Sequence, residues 1–417
     1  MVEIRKFRGL RARHDIVCQV AAPPYDVVSR GEARLIASGN PYSFLHIGKP
    51  EIDLPEEVGP YDDRVYQKGR EAFLRFEKEK ILIRDNQKNL YAYQQNRSGR
   101  SQTGIVAAAN IQDYLDNRIR RHELTRPDKE NDRVRHIDAI NAQTGPSFLF
   151  FRSRRDAVEL LNEITESFEM IRFTATDEVE HRFWVLPTFL SDRLISLFSE
   201  IETLYIADGH HRTAAASRVR RLRLTSHPNL SPTASCNFFL SVIFSHEQLT
   251  ILPYNRAITD LNGNTPDQLI GKLKQRADVC RQGQPVYPDK AGVFGLFLDG
   301  AWYRLSLSSE HLGGNGSDPS EHLDVSRLHR TILEPILGIG DERTDARIQF
   351  VGGIRGTMEL EKLVASGAAA AAFSLFPTTV EQLMAVADSE GIMPPKSTWF
   401  EPKLRDGLVS LVLDENL

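Results

Sequence analysis

Midway along the chain stands Asp208-Gly209-His210-His211-Arg212, five residues that gather several devices for holding phosphate. Glycine lets the backbone turn tightly and approach a ligand closely. A helix opening here would direct its first N–H groups and the positive end of its dipole at an anion. Arg212 adds a forked donor matched to phosphate oxygens. His210 and His211 can donate or relay protons, and Asp208 can hold a histidine or approach a metal ion. A plainer reading has Asp208 capping the helix, Gly209 making the turn and both histidines solvated. Aspartate and histidine also ligate metals, but adjacent histidines cannot share one helical face, so no metal is assigned to any residue.

A second constellation is Arg121-His122-Glu123-Leu124-Thr125-Arg126-Pro127, followed by Lys129, Asp132, Arg133 and His136. Glu123 is its candidate general base, because a carboxylate among cations stays ionised and can take a proton from a hydroxyl. A solvated charged loop would have the same composition. The third is Met393-Pro394-Pro395-Lys396-Ser397-Thr398-Trp399-Phe400-Glu401-Pro402-Lys403. Here two prolines stiffen a backbone on which Lys396, Ser397, Thr398 and Lys403 offer phosphate donors, as a surface turn also would. Asp324 to Arg330 and Pro253 to Arg256 place polar groups near apolar runs, where capping or packing accounts for them equally well.

The elements that must position these groups are readable from pattern. Leu204 to Ala207 is a short apolar strand, Asp208 to His211 cannot continue it, and alanine and arginine from Thr213 to Arg223 favour a helix. Gly104 to Asn110, His181 to Val185 and Asn237 to Phe244 read as strands, and Val65 to Lys80 and Arg155 to Ser167 as helices. Arg118 to Asp138 reads as a loop feeding a helix. Val293 to Leu298 and Trp302 to Leu307 form a hairpin around Asp299-Gly300 in a type I′ turn. Gly313 to Ser320 is a flexible link, Asp324 or Ser326 caps a helix reaching Leu337, and Ile348 to Leu375 carries a βαβ crossover. Thr378 or Thr379 caps the last clear helix, ended by Gly391.

At 417 residues the chain exceeds what one core usually serves. Three parts are expected: an N-terminal mixed lobe over 1–104, a phosphate-binding core over 105–260 and a C-terminal α/β lobe over 261–417. Hydrophobic residues at 41% and charged residues at 26% describe an ordinary globular protein. A net charge of -4 lacks the basic excess that sequence-independent nucleic-acid binding requires, so an anion site must be local and a nucleic-acid partner is not expected. Cys18, Cys236 and Cys280 are too few and too scattered for a disulfide framework. The start lacks the apolar region of a secretory signal, and no run of about 18 apolar residues occurs. A cytoplasmic location with no membrane span is expected.

Ala22-Pro23-Pro24-Tyr25-Asp26-Val27, His122 to Thr125, Ile206 to Arg212, Leu323 to Pro335 and Met393 to Lys403 together resemble a prokaryotic family catalogued as domain of unknown function 1015. Two places depart from its pattern: Tyr254-Asn255-Arg256 stands where Thr-His-Arg is usual, and Leu124 where arginine often stands. A more distant resemblance, over roughly residues 105 to 255, is to the free serine kinases of the ParB and sulfiredoxin superfamily. It implies a mixed α/β fold with a ParB/sulfiredoxin-like core, Glu123 as the base that activates a serine hydroxyl, and Asp208, Gly209, His210, His211 and Arg212 as the cradle of nucleotide phosphates.

The implied activity is a nucleotide-dependent phosphotransfer involving serine or phosphoserine, with ATP or ADP and Mg²⁺. Glu123, His210 and His211 would serve catalysis, and the Lys396 to Lys403 segment would close over the site. The alternatives are a ParB-like nucleotide switch with a protein or DNA partner, which predicts a helix-turn-helix and a basic face, and a metal-dependent phosphatase.

Overall fold

The computed structural model describes residues 1–167, 170–313 and 318–417. It is a mixed α/β protein of two compact units, one formed by Met1–Leu249 with Pro402–Leu417 and the other by Thr250–Glu401.

The first unit is built on a nine-stranded sheet. In chain order its strands are β1 (Ile4–Arg5), β2 (Tyr91–Arg97), β3 (Arg100–Asn110), β4 (Ile119–Arg120), β5 (Ser147–Phe151), β6 (Ile171–Thr174), β7 (Glu180–Val185), β8 (Leu204–Asp208) and β9 (Phe238–Ser245). Their spatial order is β4-β8-β5-β9-β3-β2-β7-β6, with β1 on β3. β9 is buried throughout and β3 almost throughout, which is why both read as continuous apolar runs and not as alternating ones. Ile105, Leu149, Trp184, Ile206 and Phe239 form one core cluster with Leu160, Leu161, Leu190, Leu194 and Phe198 from the helices Arg155–Ser167 and Thr188–Phe198.

The boundary expected near residue 104 falls inside β3. That strand pairs with β2 from Arg97↔Arg100 to Tyr91↔Val106, so residues on both sides of the boundary share one sheet. An apolar central strand needs a hydrogen-bonding partner at each edge, and β2 supplies one of them. The last residues also return to this unit, where Val409–Val412 pairs with Leu10–Ala12 and Ala142–Gln143.

Two helices matter for the site: α1 (Pro127–Ile140) and α2 (His210–Ser226). Pro127 occupies the first turn of α1, and Asn141 closes it in the left-handed conformation at φ 52°, the usual asymmetry of helix ends. Ala214, Ala215 and Ala216 are buried on α2, small enough to bring the helix against β5 and β9.

The second unit has a six-stranded sheet in the order Ala277–Gln282, Ala301–Leu307, Val293–Leu298, Ala371–Ser374, Tyr254–Ile258, Ile348–Gly352. Asp299 and Gly300 both have positive φ, 47° and 70°, as the type I′ hairpin turn requires. Ile348–Gly352 and Ala371–Ser374 flank Tyr254–Ile258, each antiparallel to it, so the expected crossover spans one intervening strand. Thr379 caps Val380–Asp388 through a capping box with Gln382. Neither Asp324 nor Ser326 caps a helix: Asp324 opens the helix Asp324–Leu328 and accepts from the Gly292 amide at 3.0 Å, and the run breaks into a π-turn at His329–Leu333. Of the link expected over Gly313–Ser320, residues 314–317 lie outside the described residues.

Candidate functional site

The site follows from one pairing. β4 and β8 are parallel, with Leu204 opposite Ile119 and Tyr205 opposite Arg120. Residues leaving β4 therefore run alongside Ile206 to Asp208 and arrive at the edge where β8 gives way to α2. The carboxyl ends of parallel strands beside a helix start are a common ligand position in α/β proteins. A register shift between Ile206 and Asp208 against β5 bends the end of β8, re-aiming Asp208 as bulges beside sites often do. Gly209 then turns the chain at φ 92°, and a Cβ there would also stand 3.2 Å from the Ser147 backbone. Both conditions ask for glycine. Gly209 is the N-cap of α2 and offers no side chain, so the plain capping role for Asp208 is not realised. Its Oδ1 accepts instead from the Gly209 amide at 2.8 Å.

At this edge Glu123 Oε2 lies 3.8 Å from His210 Nδ1. The His122 ring stands edge-on to His210, centroids 4.5 Å apart, and is 2% exposed. Burial, with His210 adding to it, drives the His122 pKa down to about 3, against a bond to the Ile206 backbone that favours the proton. His122 is therefore neutral at physiological pH. His211 turns elsewhere, its Nε2 accepting from the Arg126 amide at 3.0 Å, which pins the loop that carries Glu123.

Behind the turn lies a network of opposite charges, in which Arg212 is buried and Asp208 and Asp26 are partly exposed. Lys403 Nζ donates to Asp208 Oδ2 at 2.9 Å. Burial would raise the Asp208 pKa, but Lys403 and Arg212 outweigh it and hold the carboxyl well below its ordinary range. Arg212, expected to face phosphate, points inward: Nη1 donates to the Pro146 carbonyl at 2.5 Å and Nη2 to both Asp26 oxygens at 3.4 Å. Its Nε is buried with no partner among the described residues. Arg133 stacks on Tyr25, 3.8 Å from the ring centre, and Tyr25, Arg133, Arg212 and Asp406 line a small cavity with Thr144 and Ser147.

Asp406 was not singled out by sequence reasoning, although it sits in the middle of this network. Gly145 leaves room for its carboxyl, which would meet a Cβ there at 3.2 Å. Burial pushes its pKa up to about 7 despite Arg212 and Arg133, with Asp26 adding to the rise. In the unfolded chain Asp406 ionises near its ordinary value, so this group stabilises the fold least at high pH. Its share of stability falls as pH rises from about 4 to 7 and stays low above that. Asp406→Asn is expected to raise the melting temperature at pH 8 by at least about a few degrees and to leave it nearly unchanged at pH 4. Calorimetry across that range checks this, and equal shifts at both ends would exclude a protonated Asp406.

The other expected phosphate donors divide between units. Lys403 belongs to the first, on Asp208, whereas Lys396, Ser397 and Thr398 belong to the second. There Arg256, fully buried on Glu342 at 3.1 Å, donates to the carbonyls of Lys396 and Pro395. Ser397 Oγ donates to the Pro394 carbonyl at 2.7 Å, and Asn255 Oδ1 accepts from the Leu375 amide. These contacts assign Asn255 and Arg256 to the framework of that unit.

The architecture and the strand-end position of the site define a mixed α/β protein whose candidate chemistry gathers at the start of one helix. The chain belongs to the DUF1015 family, whose model, described as a protein of unknown function, matches residues 4–326. Among solved structures it is similar to a free serine kinase variant in complex with AMP, at 12% identity and a TM-score of 0.35 over 71% of this chain and 86% of that one. It is also similar to a conserved hypothetical protein from Pyrococcus furiosus, at 14% and 0.34 over 73% and 94%. A third is SbnI with a C-terminal truncation from Staphylococcus aureus, at 10% and 0.37 over 73% and 87%. No curated protein matches the chain. Among the described residues no helix is long and apolar enough to cross a membrane.

Proposed function

We propose that the first unit is a nucleotide-dependent phosphotransferase acting on a small hydroxylated metabolite, serine or phosphoserine being the leading candidates. The observation that carries this reading is the delivery of the Glu123 carboxylate, by parallel pairing of β4 and β8, to His210 at the start of an uncapped helix. A base beside an anion-binding helix end is the arrangement that phosphoryl transfer to a hydroxyl needs, because such catalysis is mostly positioning and charge neutralisation.

In the forward direction the acceptor oxygen bonds to the terminal phosphorus of ATP, the bond to the ADP oxygen breaks, and the hydroxyl proton passes to Glu123. The first-turn amides of α2 would face the phosphates, and Lys403 would add charge beside Asp208. Arg212 acts here as a positioning residue, tying the helix start to Pro146 and Asp26. The Mg²⁺ that accompanies nucleotides in such transfers would supply charge neutralisation, and Asp208 is the carboxylate at the helix start that would face it, leaving Glu123 free to act as base.

Incubation of the full chain with Mg²⁺, a nucleotide panel and serine or phosphoserine, followed by phosphorus NMR, tests the reading. A new phosphomonoester or phosphoanhydride resonance is expected with one nucleotide of the panel. Unchanged spectra throughout, with no nucleotide binding by calorimetry, would overturn it.

A further inference from the structure

His122, Glu123 and His210 each bring a donor atom to within 4.8 Å of the other two. We infer that these three residues form a binding site for one divalent transition cation, of the Zn²⁺, Co²⁺ or Mn²⁺ class, at the edge where β4 and β8 end.

Two imidazoles and one carboxylate suit borderline metals, whereas Mg²⁺ takes oxygen donors and retains its waters. The adjacent pair His210-His211 cannot ligate one ion from one helical face. The structure replaces His211 by His122 from the segment that follows β4.

His122 by itself also points to a ligand. It is 2% exposed, and its Nδ1 is buried with no hydrogen-bond partner among the described residues. The imidazole also bonds the Ile206 backbone. With Nδ1 unpartnered, that bond belongs to Nε2, whose N–H donates to the carbonyl and leaves Nδ1 with a bare lone pair. This is how ligating histidines are held: one nitrogen donates to a backbone carbonyl and the other faces the metal. An unused imidazole acceptor in the interior is otherwise costly to keep.

The geometry needs only modest closure. Donors about 2.1 Å from a tetrahedral ion lie roughly 3.4 Å apart, and Glu123, with a side chain 34% exposed, has room to move in. Three protein ligands leave a coordination position open, the pattern of sites that act on a ligand and not of purely structural ones. A phosphate or hydroxyl oxygen at the head of α2 is the natural occupant of that position.

The inference does not rest on the phosphotransfer reading, and its test omits nucleotide so that the two fail separately. The full chain, stripped with chelator and dialysed, is titrated with Zn²⁺ and with Mg²⁺ by calorimetry, and with Co²⁺ by visible absorption. One equivalent of Zn²⁺ is expected, Mg²⁺ binding at least about 100-fold more weakly, and a Co²⁺ d–d band of low coordination number. Glu123→Gln is expected to weaken Zn²⁺ at least about 10-fold, and His122→Ala to abolish the Co²⁺ band. Should His122→Ala not fold, the Glu123→Gln titration decides, since that side chain is partly exposed and its amide isosteric. No stoichiometric binding by the unaltered chain, or one equivalent bound equally by both variants, overturns the site.

Discussion

Glu123→Gln is expected to lower kcat by about 10²–10⁴-fold, the range that a positioned general base contributes, and to leave nucleotide affinity and the melting temperature close to those of the parent. The substitution keeps the shape of the side chain and removes its ability to take a proton. Its contact is to His210 Nδ1 at 3.8 Å, from a side chain 34% exposed, and partly solvated pairs of this kind contribute little stability. Nucleotide phosphates in this reading are held by α2 amides and Lys403, none of which the change touches. Steady-state kinetics with serine, beside nucleotide titration calorimetry, separate the effects. A fall in kcat with constant nucleotide Kd supports the base, and full activity excludes it. Repeating the assay at saturating Zn²⁺ or Mn²⁺ distinguishes a lost base from a lost ligand, because added metal restores turnover only in the second case.

What could be read from sequence was whatever depends on neighbours along the chain. The strand, glycine turn and helix at Leu204 to Arg223 announce themselves, because a break in apolar pattern, a glycine and a run of helix formers are adjacent. The apolar run that became β3 and the Asp299-Gly300 hairpin are legible for the same reason. What escaped depends on pairing over long separations. Asp26 reaches Arg212 across 186 residues and Lys403 reaches Asp208 across 195, and no local periodicity encodes either. His122 looked like one polar residue in a charged loop, when it leaves a two-residue parallel strand and is buried. A signal for Asp406 does exist. Arg405-Asp406 interrupts the apolar stretch Leu404 to Leu413, and charges inside such a stretch are either paired or functional. That signal could not say which partners would meet them, nor that the residues after Glu401 rejoin the first unit. The inward turn of Arg212 was equally hidden, since a helix-start arginine serves an anion or a buried carboxylate with the same chemistry.

That inward turn sets the expected result for Arg212→Ala, which is a loss of stability before it is a loss of ligand. Arg212 is 8% exposed. It joins the Pro146 carbonyl to Asp26 and lies close enough to Asp208 and Asp406 to act on the ionisation of both. Removing a buried cation from such a cluster costs up to about 3–5 kcal/mol, because the buried Asp406 stays desolvated without compensation, although Asp26 and Asp208 keep some access to water. For a unit of this size that lowers the melting temperature by roughly 6–20 °C. The sign of its pH dependence follows from Asp406. Without the guanidinium, which opposes the rise, the carboxyl in the folded state is still harder to ionise, so the deficit is larger at pH 8 than at pH 5. Asp406→Asn in the Arg212→Ala background should therefore recover part of the loss at pH 8 and little at pH 5. The double-mutant coupling energy is expected to exceed about 0.5 kcal/mol, as contacting residues of one network show. Arg212→Lys should fall between, keeping a charge but not the fork that spans Pro146 and Asp26. Denaturant titrations of the four variants at both pH values measure every term. Additive effects of positions 212 and 406, or an Arg212→Ala chain as stable as its parent, would mean that the helix start is not anchored from behind, and the expected alignment of its amides on a phosphate would lose its support.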